Sequence, residues 1–155
     1  MNCSVYFSSR LKELFIDGKW IANTNYKQVL ADVSFEVAVK RVHSLNSIAA
    51  LTFHMNYYLQ GLIQVMEGQP LTISDQYSFD LPPLSDEQAW RELVHALENN
   101  ASRFIDLVNN MGAEQWSKPF VNQTYGTWQR NVEGMLEHGY YHLGQMVLIK
   151  KLVTM

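Results

Sequence analysis

The sequence predicts an all-α protein, an up-down four-helix bundle that forms a single domain over residues 1–155. Its long segments carry apolar residues at spacings of three and four, which is the period of an amphipathic helix. Prolines interrupt the chain in only two places, between residues 70 and 83 and at Pro119, so three long pieces remain. No pair of alternating segments predicts a β-hairpin. Long helices with short or moderate connections therefore describe the chain best.

The first piece contains two predicted helical segments. An amphipathic segment around residues 7–15 should end near Gly18, since glycine commonly terminates helices. A turn around Trp20 leads to a valine-rich stretch over residues 29–39, whose pattern also fits a strand. We interpret this stretch as helical.

Two long helices are predicted in the centre of the chain. Ser47 is a suitable N-cap for the first, which continues to about Met66. Ser85 opens the second, with Gln88 placed for a capping box, and this helix runs to about Met111.

The segment from Leu71 to Leu84 between these helices is predicted to be a loop with aromatic anchors, Tyr77 and Phe79. Loops of this length in a small domain are more often functional, or packed on the surface, than idle. Because it follows the helix that carries His54, we expect it to close over or beside the site described next.

Five histidines are present, and their helical positions distinguish them. His138 and His142 are four residues apart on the last predicted helix, residues 127–152, so both side chains project from one face and can reach one metal. Such a pair also arises by chance at surfaces. Here the same face carries Met135 and Ile149, which predicts that the imidazoles point inward.

His54 is the best third ligand, because its helical face carries Leu51 and Leu62 and should face the core. His95 lies on a polar helical face, and His43 falls in a predicted turn, so we expect both to be exposed. Three neutral imidazoles suit Zn, Ni, Fe or Cu better than Mg or Ca, with Zn or Ni expected. Three protein ligands leave a position for water or substrate, which is typical of catalytic sites, and affinity should fall below about pH 6.5.

Gly134, Gly139 and Gly144 interrupt the last helix, and each costs roughly 0.5 to 1 kcal/mol relative to alanine. Close helix packing explains such glycines, and so does room for a metal and a substrate. The two explanations are compatible.

Composition excludes several classes of function. A formal charge of −3 without clustered basic residues argues against nucleic-acid binding. No segment of about 18 uncharged apolar residues predicts a membrane span. The single cysteine, Cys3, excludes an intrachain disulfide and fits a reducing compartment, so we expect a cytoplasmic protein. The glutamate that zinc proteases place after their first histidine is missing, which disfavours a peptidase.

The chain resembles the DinB/YfiT-like superfamily in the segments Asn46–Ala49, His54–Tyr58 and Glu137–Gln145. The resemblance covers nearly the whole chain, and the spacing of its three histidines is the most specific part. It implies a four-helix bundle, often dimeric, with a metal site at positions 54, 138 and 142. Relatives in the superfamily include metal-dependent hydrolases, thiol-dependent transferases and isomerases, so the resemblance does not imply one reaction.

Neighbouring polar residues are candidates for orienting water or substrate at the metal. Glu137 is next to His138 in sequence but points about 100° away around the helix. Tyr58, Tyr141 and Gln145 are better placed, although aromatic packing also explains each tyrosine. No Asp or Glu lies on the ligand faces as a general base.

Two functions follow from these residues. The leading hypothesis is a metal-dependent hydrolase or thiol transferase, with a thiol cofactor possible, that acts on a small molecule. The alternative is a non-catalytic metal-binding stress-response protein. Four protein ligands would favour the alternative, and an open position that faces a pocket would favour the enzyme.

A homodimer is also predicted. Three tryptophans, Trp90, Trp116 and Trp128, are spread through and between the C-terminal helices, and one core is not expected to absorb them all. Exposed apolar patches commonly mark interfaces.

Overall fold

Helices dominate the computed structural model, which describes residues 2–155. The helices are α1 (Cys3–Lys12), α2 (Tyr26–Leu30), α3 (Phe35–Val39), α4 (Ile48–Met66), α5 (Glu87–Asn109) and α6 (Trp128–Thr154). A π-helical segment, Glu13–Asp17, continues α1 up to Gly18, where the sequence predicts its end. None of the helices in the described part of the chain combines the length and the apolar character that a membrane span requires.

The four longer helices form the predicted bundle. Helix α4 packs against α5 and α6, and α1 packs against the same two helices, so each long helix has two long neighbours. The short helices α2 and α3 pack against α6, and α3 also contacts α4 and α5. The predicted all-α class is therefore confirmed.

The sequence predicts the N-cap of α4 correctly, but not the N-cap of α5. Ser47 Oγ accepts a hydrogen bond from the Ala50 N–H and caps α4, as predicted. At α5 the N-cap is Asp86, which accepts from the Ala89 N–H, whereas Ser85 donates to the Asp86 carboxylate. The predicted start at Ser85 is wrong, because a carboxylate caps equally well and also complements the helix dipole.

The valine-rich stretch is helical only in part, so one continuous helix over residues 29–39 is wrong. The chain leaves the helical path between α2 and α3, at buried Val33. Because this break frees the Val33 carbonyl oxygen, it accepts hydrogen bonds from Trp90 Nε1 at 2.7 Å and Arg91 Nη2 at 3.0 Å. A tertiary contact to α5 thus replaces a helical hydrogen bond.

The core absorbs all three tryptophans that suggested a dimer. Trp90, Trp116 and Trp128 are buried, and the first two donate hydrogen bonds, to Val33 O and Ser4 Oγ respectively. The reason given for a dimer is therefore wrong, because a buried indole that has a partner for its N–H belongs to the core.

Exposed apolar side chains lie elsewhere. Trp20, in the turn before α2, is 88% exposed, and Tyr141, Leu148 and Leu152 form an exposed stripe on α6. The homodimer stays a prediction, and this stripe is an exposed apolar surface on which it can rest.

Gly139 lies where α6 packs closely against the π-helical segment. A Cβ atom there would lie 2.4 Å from Cδ2 of fully buried Leu14. The Tyr26 hydroxyl also donates to the Gly139 carbonyl oxygen at 2.9 Å. Close packing therefore explains this glycine, whereas a Cβ on Gly134 or Gly144 would meet no atom within 4 Å.

We expect Gly139→Ala to lower the free energy of unfolding by about 1 to 3 kcal/mol, because the fully buried Leu14 side chain must shift to admit the added methyl group. Gly144→Ala is the matched control on the exposed side of α6, and it should raise the free energy of unfolding by about 0.5 to 1 kcal/mol. Urea denaturation measures both. Equal stability of the two variants would contradict this explanation of Gly139.

Candidate metal centre

Three histidine side chains from two helices converge at one point. His54 Nε2 lies 3.0 Å from His138 Nε2, which lies 2.8 Å from His142 Nε2. His54 and His142 are buried, and His138 is half-buried. The structure thus brings together the three histidines that the sequence singles out, and leaves His43 and His95 exposed.

Local helix geometry explains this convergence. Four residues correspond to just over one turn, so His138 and His142 project from the same face of α6. Because α4 packs directly against α6, His54 meets this pair across the helix interface.

Hydrogen bonds at the far ring nitrogens set the tautomers of two imidazoles. His54 Nδ1 lies 3.2 Å from the Ser78 carbonyl oxygen, and His142 Nδ1 lies 2.7 Å from Gln145 Oε1. Both oxygens only accept hydrogen bonds, so each Nδ1 carries the proton. Each Nε2 consequently presents a lone pair to the centre of the cluster.

This arrangement cannot be satisfied by the imidazoles alone. Neutral His138 has at most one proton on Nε2, yet this atom faces the lone pairs of both His54 and His142. A cation at the centre would accept all three lone pairs. The donor set therefore fits a divalent transition metal, and the carbonyl and amide oxygens behind the imidazoles are the partners that metal-bound histidines ordinarily have.

The protonation states of the cluster also suit a metal. Burial, followed by the charge of His142, lowers the pKa of His54 to about 4. His138 has its pKa lowered to about 4 by burial and by the charges of the other two imidazoles. Burial lowers the pKa of His142 as well. All three side chains are therefore neutral near pH 7, the form in which imidazole coordinates metals.

The loop over residues 71–84 lies against this cluster, beside the site as predicted. Phe79 stacks on the His54 ring with centroids 3.9 Å apart, and Ser78 supplies the carbonyl oxygen that holds Nδ1. The Tyr57 hydroxyl accepts a hydrogen bond from the Ser74 N–H and donates one to the Ser74 carbonyl oxygen. The loop is thus bound to α4 through several independent contacts.

The three candidates for orienting groups occupy different positions. Gln145 binds His142 directly. The ring of Tyr58 contacts His54 and His138 edge-on, with centroids 5.0 and 5.1 Å away. Tyr141 is 64% exposed and touches the ring of His142 from the outside. Gln145 and Tyr58 therefore lie within the site, whereas Tyr141 lies at its rim.

Asp75 is the residue that sequence reasoning missed. No acid lies on the ligand faces of α4 and α6, but the loop brings the Asp75 carboxylate to the Tyr58 hydroxyl, which donates to Oδ1 at 2.7 Å. Burial and this bond raise the pKa of Tyr58 to about 12, so the hydroxyl keeps its proton. The aromatic anchors of the loop were the one signal that could have pointed to Asp75.

A cavity of about 640 Å³ adjoins the cluster at His138. Its polar lining includes Tyr58, Asp75, Arg130 and Asn131. The larger apolar side chains that line it come from α4, the loop, the segment before α6 and α6 itself: Leu62, Leu71, Ile73, Phe120 and Met135. The cavity is of the size that holds small organic ligands.

Comparison with known proteins agrees with this geometry. A family model described as the DinB superfamily matches residues 22–146, a segment that contains all three histidines and the loop. No curated protein and no solved structure matches the chain. Because the matched segment covers well over half of the sequence, the chain belongs to the DinB superfamily.

Proposed function

We propose that this protein is a metal-dependent enzyme that acts on a small organic molecule, as a hydrolase or a thiol transferase. The observation that carries the proposal is the position of His138, which belongs to the histidine cluster and also lines the cavity. A substrate in the cavity would therefore lie next to the metal.

The ligand count supports an enzyme over a non-catalytic metal-binding stress-response protein. Among residues 2–155, the only group of histidine, cysteine or acidic side chains close enough to share a metal is His54, His138 and His142. A purely structural site is ordinarily closed by four protein ligands, whereas a catalytic site keeps one position open.

Zn or Ni suits three neutral imidazoles best. Such a metal, when bound, supplies a Lewis acid that activates water or a thiol as a nucleophile near neutral pH. Ser78 and Gln145 orient the imidazoles, and Phe79 covers His54 from solvent.

Asp75 and Tyr58 provide the proton chemistry. The Asp75 carboxylate lines the cavity and can accept a proton, while the protonated Tyr58 hydroxyl holds that carboxylate in place. A proton acceptor at this position supports hydrolysis. Cys3 lies in α1, away from the cavity lining, so in thiol transfer the thiol would come from a separate cofactor or cosubstrate.

Loss of any one ligand should weaken metal binding by more than about 100-fold, since even changes behind the ligands cost about 10- to 100-fold. Zn titrated into chelator-treated protein with a competing indicator measures this for His54→Ala, His138→Ala and His142→Ala. His95→Ala is the control, because His95 is exposed on α5. Equal affinity in all variants would rule out the proposed site.

Metal affinity should persist to lower pH than the sequence suggests. Protons compete with the metal for an imidazole only when the pH is near or below the pKa of that imidazole in the metal-free protein. The pKa of His54 and His138 is about 4 instead of the usual 6.5. Since the pKa of all three histidines is lowered, affinity should hold as pH falls through 6.5 and be lost at more acidic pH, where His54 and His138 protonate with a pKa of about 4.

The test is Zn competition from about pH 7 to about pH 4.5, with circular dichroism to verify that the fold is intact. A flexible peptide with three histidines is the reference and should release Zn near pH 6.5. Release by the protein at the same pH as the peptide would contradict the expectation.

Asp75→Asn should lower kcat of the Zn- or Ni-loaded protein by about 10²- to 10⁴-fold, because the amide cannot accept the proton, while metal affinity stays unchanged. Turnover is measured on small esters and amides, and on an electrophile with an added thiol. Asp80→Asn is the matched control in the same exposed loop. Full metal occupancy without turnover of any substrate would favour the non-catalytic alternative.

A further inference from the structure

We infer that the cavity selects a small organic carboxylate with an apolar body, whose carboxylate pairs with Arg130 while its other end lies against His138. The inference rests on the proposed function in taking the cavity as the substrate site. The binding geometry itself comes from α6 and the cavity walls.

One face of α6 forms the floor of the cavity, and the two ends of this floor carry different chemical groups. Arg130, Gly134 and His138 follow each other at intervals of four residues, and all three line the cavity. At 1.5 Å per residue, Arg130 and His138 are about 12 Å apart along the helix axis. The Arg130 guanidinium therefore lies at one end of the floor, and the histidine cluster lies at the other.

Gly134 leaves the middle of this floor without a side chain. A Cβ built there meets no atom within 4 Å, unlike that of Gly139, which would clash with Leu14. Packing therefore explains Gly139 but not Gly134. The space above Gly134 is where the body of a ligand lies.

Arg130 is available to bind an anion. Its Nη1 donates to Glu137 Oε2 at 3.0 Å, but the two side chains are 59% and 67% exposed, and such pairs are weak. A carboxylate can therefore engage the guanidinium through two parallel hydrogen bonds. Within residues 2–155, no other Lys or Arg lines the cavity.

The rest of the lining defines the ligand further. Asp75 is the only acidic residue in the described part of the chain that lines the cavity. Its bond to Tyr58 places it at the end near His138. A second negative charge on the ligand would meet this carboxylate. Leu62 and Met135 are among the apolar residues of the cavity walls. A cavity with the Arg130 guanidinium at one end, the Asp75 carboxylate near the other end and apolar walls fits a ligand that carries a single carboxylate.

The first test measures binding of 4-phenylbutyrate to the full-length protein by titration calorimetry, in Zn-loaded and chelator-treated form. Arg130→Gln should weaken binding at least about 10-fold in both forms, because a charge-assisted pair is lost. Arg103→Gln is the matched control, since Arg103 pairs with Glu67 on the surface and is outside the cavity lining. The neutral amide, 4-phenylbutyramide, should bind wild type and Arg130→Gln equally.

A second variant tests the position of the ligand body. Gly134→Leu fills the floor and should abolish binding of both probes while Zn affinity stays unchanged, whereas Gly144→Leu, on the exposed side of α6, should change neither. Wild-type affinity in Arg130→Gln or in Gly134→Leu would overturn the inference. Probe binding to the chelator-treated protein tests the inference without the metal. The Zn titration tests the metal site of the proposed function separately.

Discussion

Three ring nitrogens that cannot satisfy one another are the constraint on which the rest of the site depends. His54 and His142 both present lone pairs to His138 Nε2, because Ser78 and Gln145 hold the protons on their other nitrogens. Burial keeps the imidazoles neutral, so they cannot relieve the conflict by taking up protons near pH 7. A fold that keeps these contacts in place is prepared for a cation.

The loop between α4 and α5 couples that centre to the cavity. It supplies the Ser78 carbonyl oxygen and the Phe79 ring on one side, and the Asp75 carboxylate on the other. Gly61 on α4 lets it approach, because a Cβ there would lie 2.3 Å from Ile73 Cδ1. Movement of this loop would therefore change the orientation of His54 and the position of the Asp75 carboxylate together, and lids commonly control chemistry in this way.

Helix α6 contributes to the core and to the cavity with different faces. Gly139 admits the buried Leu14 side chain, so this face forms part of the core. Arg130, Gly134 and His138 lie along another face, which forms the cavity floor. The sequence suggested close packing and ligand space as joint explanations for the glycines. In the structure, close packing applies to Gly139, whereas Gly134 lines the cavity, because only neighbouring elements distinguish one helix face from another.

The sequence by itself determined the long helices and the shared face of His138 and His142, because helical period and residue spacing are local properties. Tertiary structure decided what depends on residues distant in the chain. Val33 breaks a helix to accept a hydrogen bond from Trp90, and the buried tryptophans show a larger core than composition suggested. Asp75 reaches Tyr58 through the path of a loop, and a loop has no period from which side-chain directions can be read.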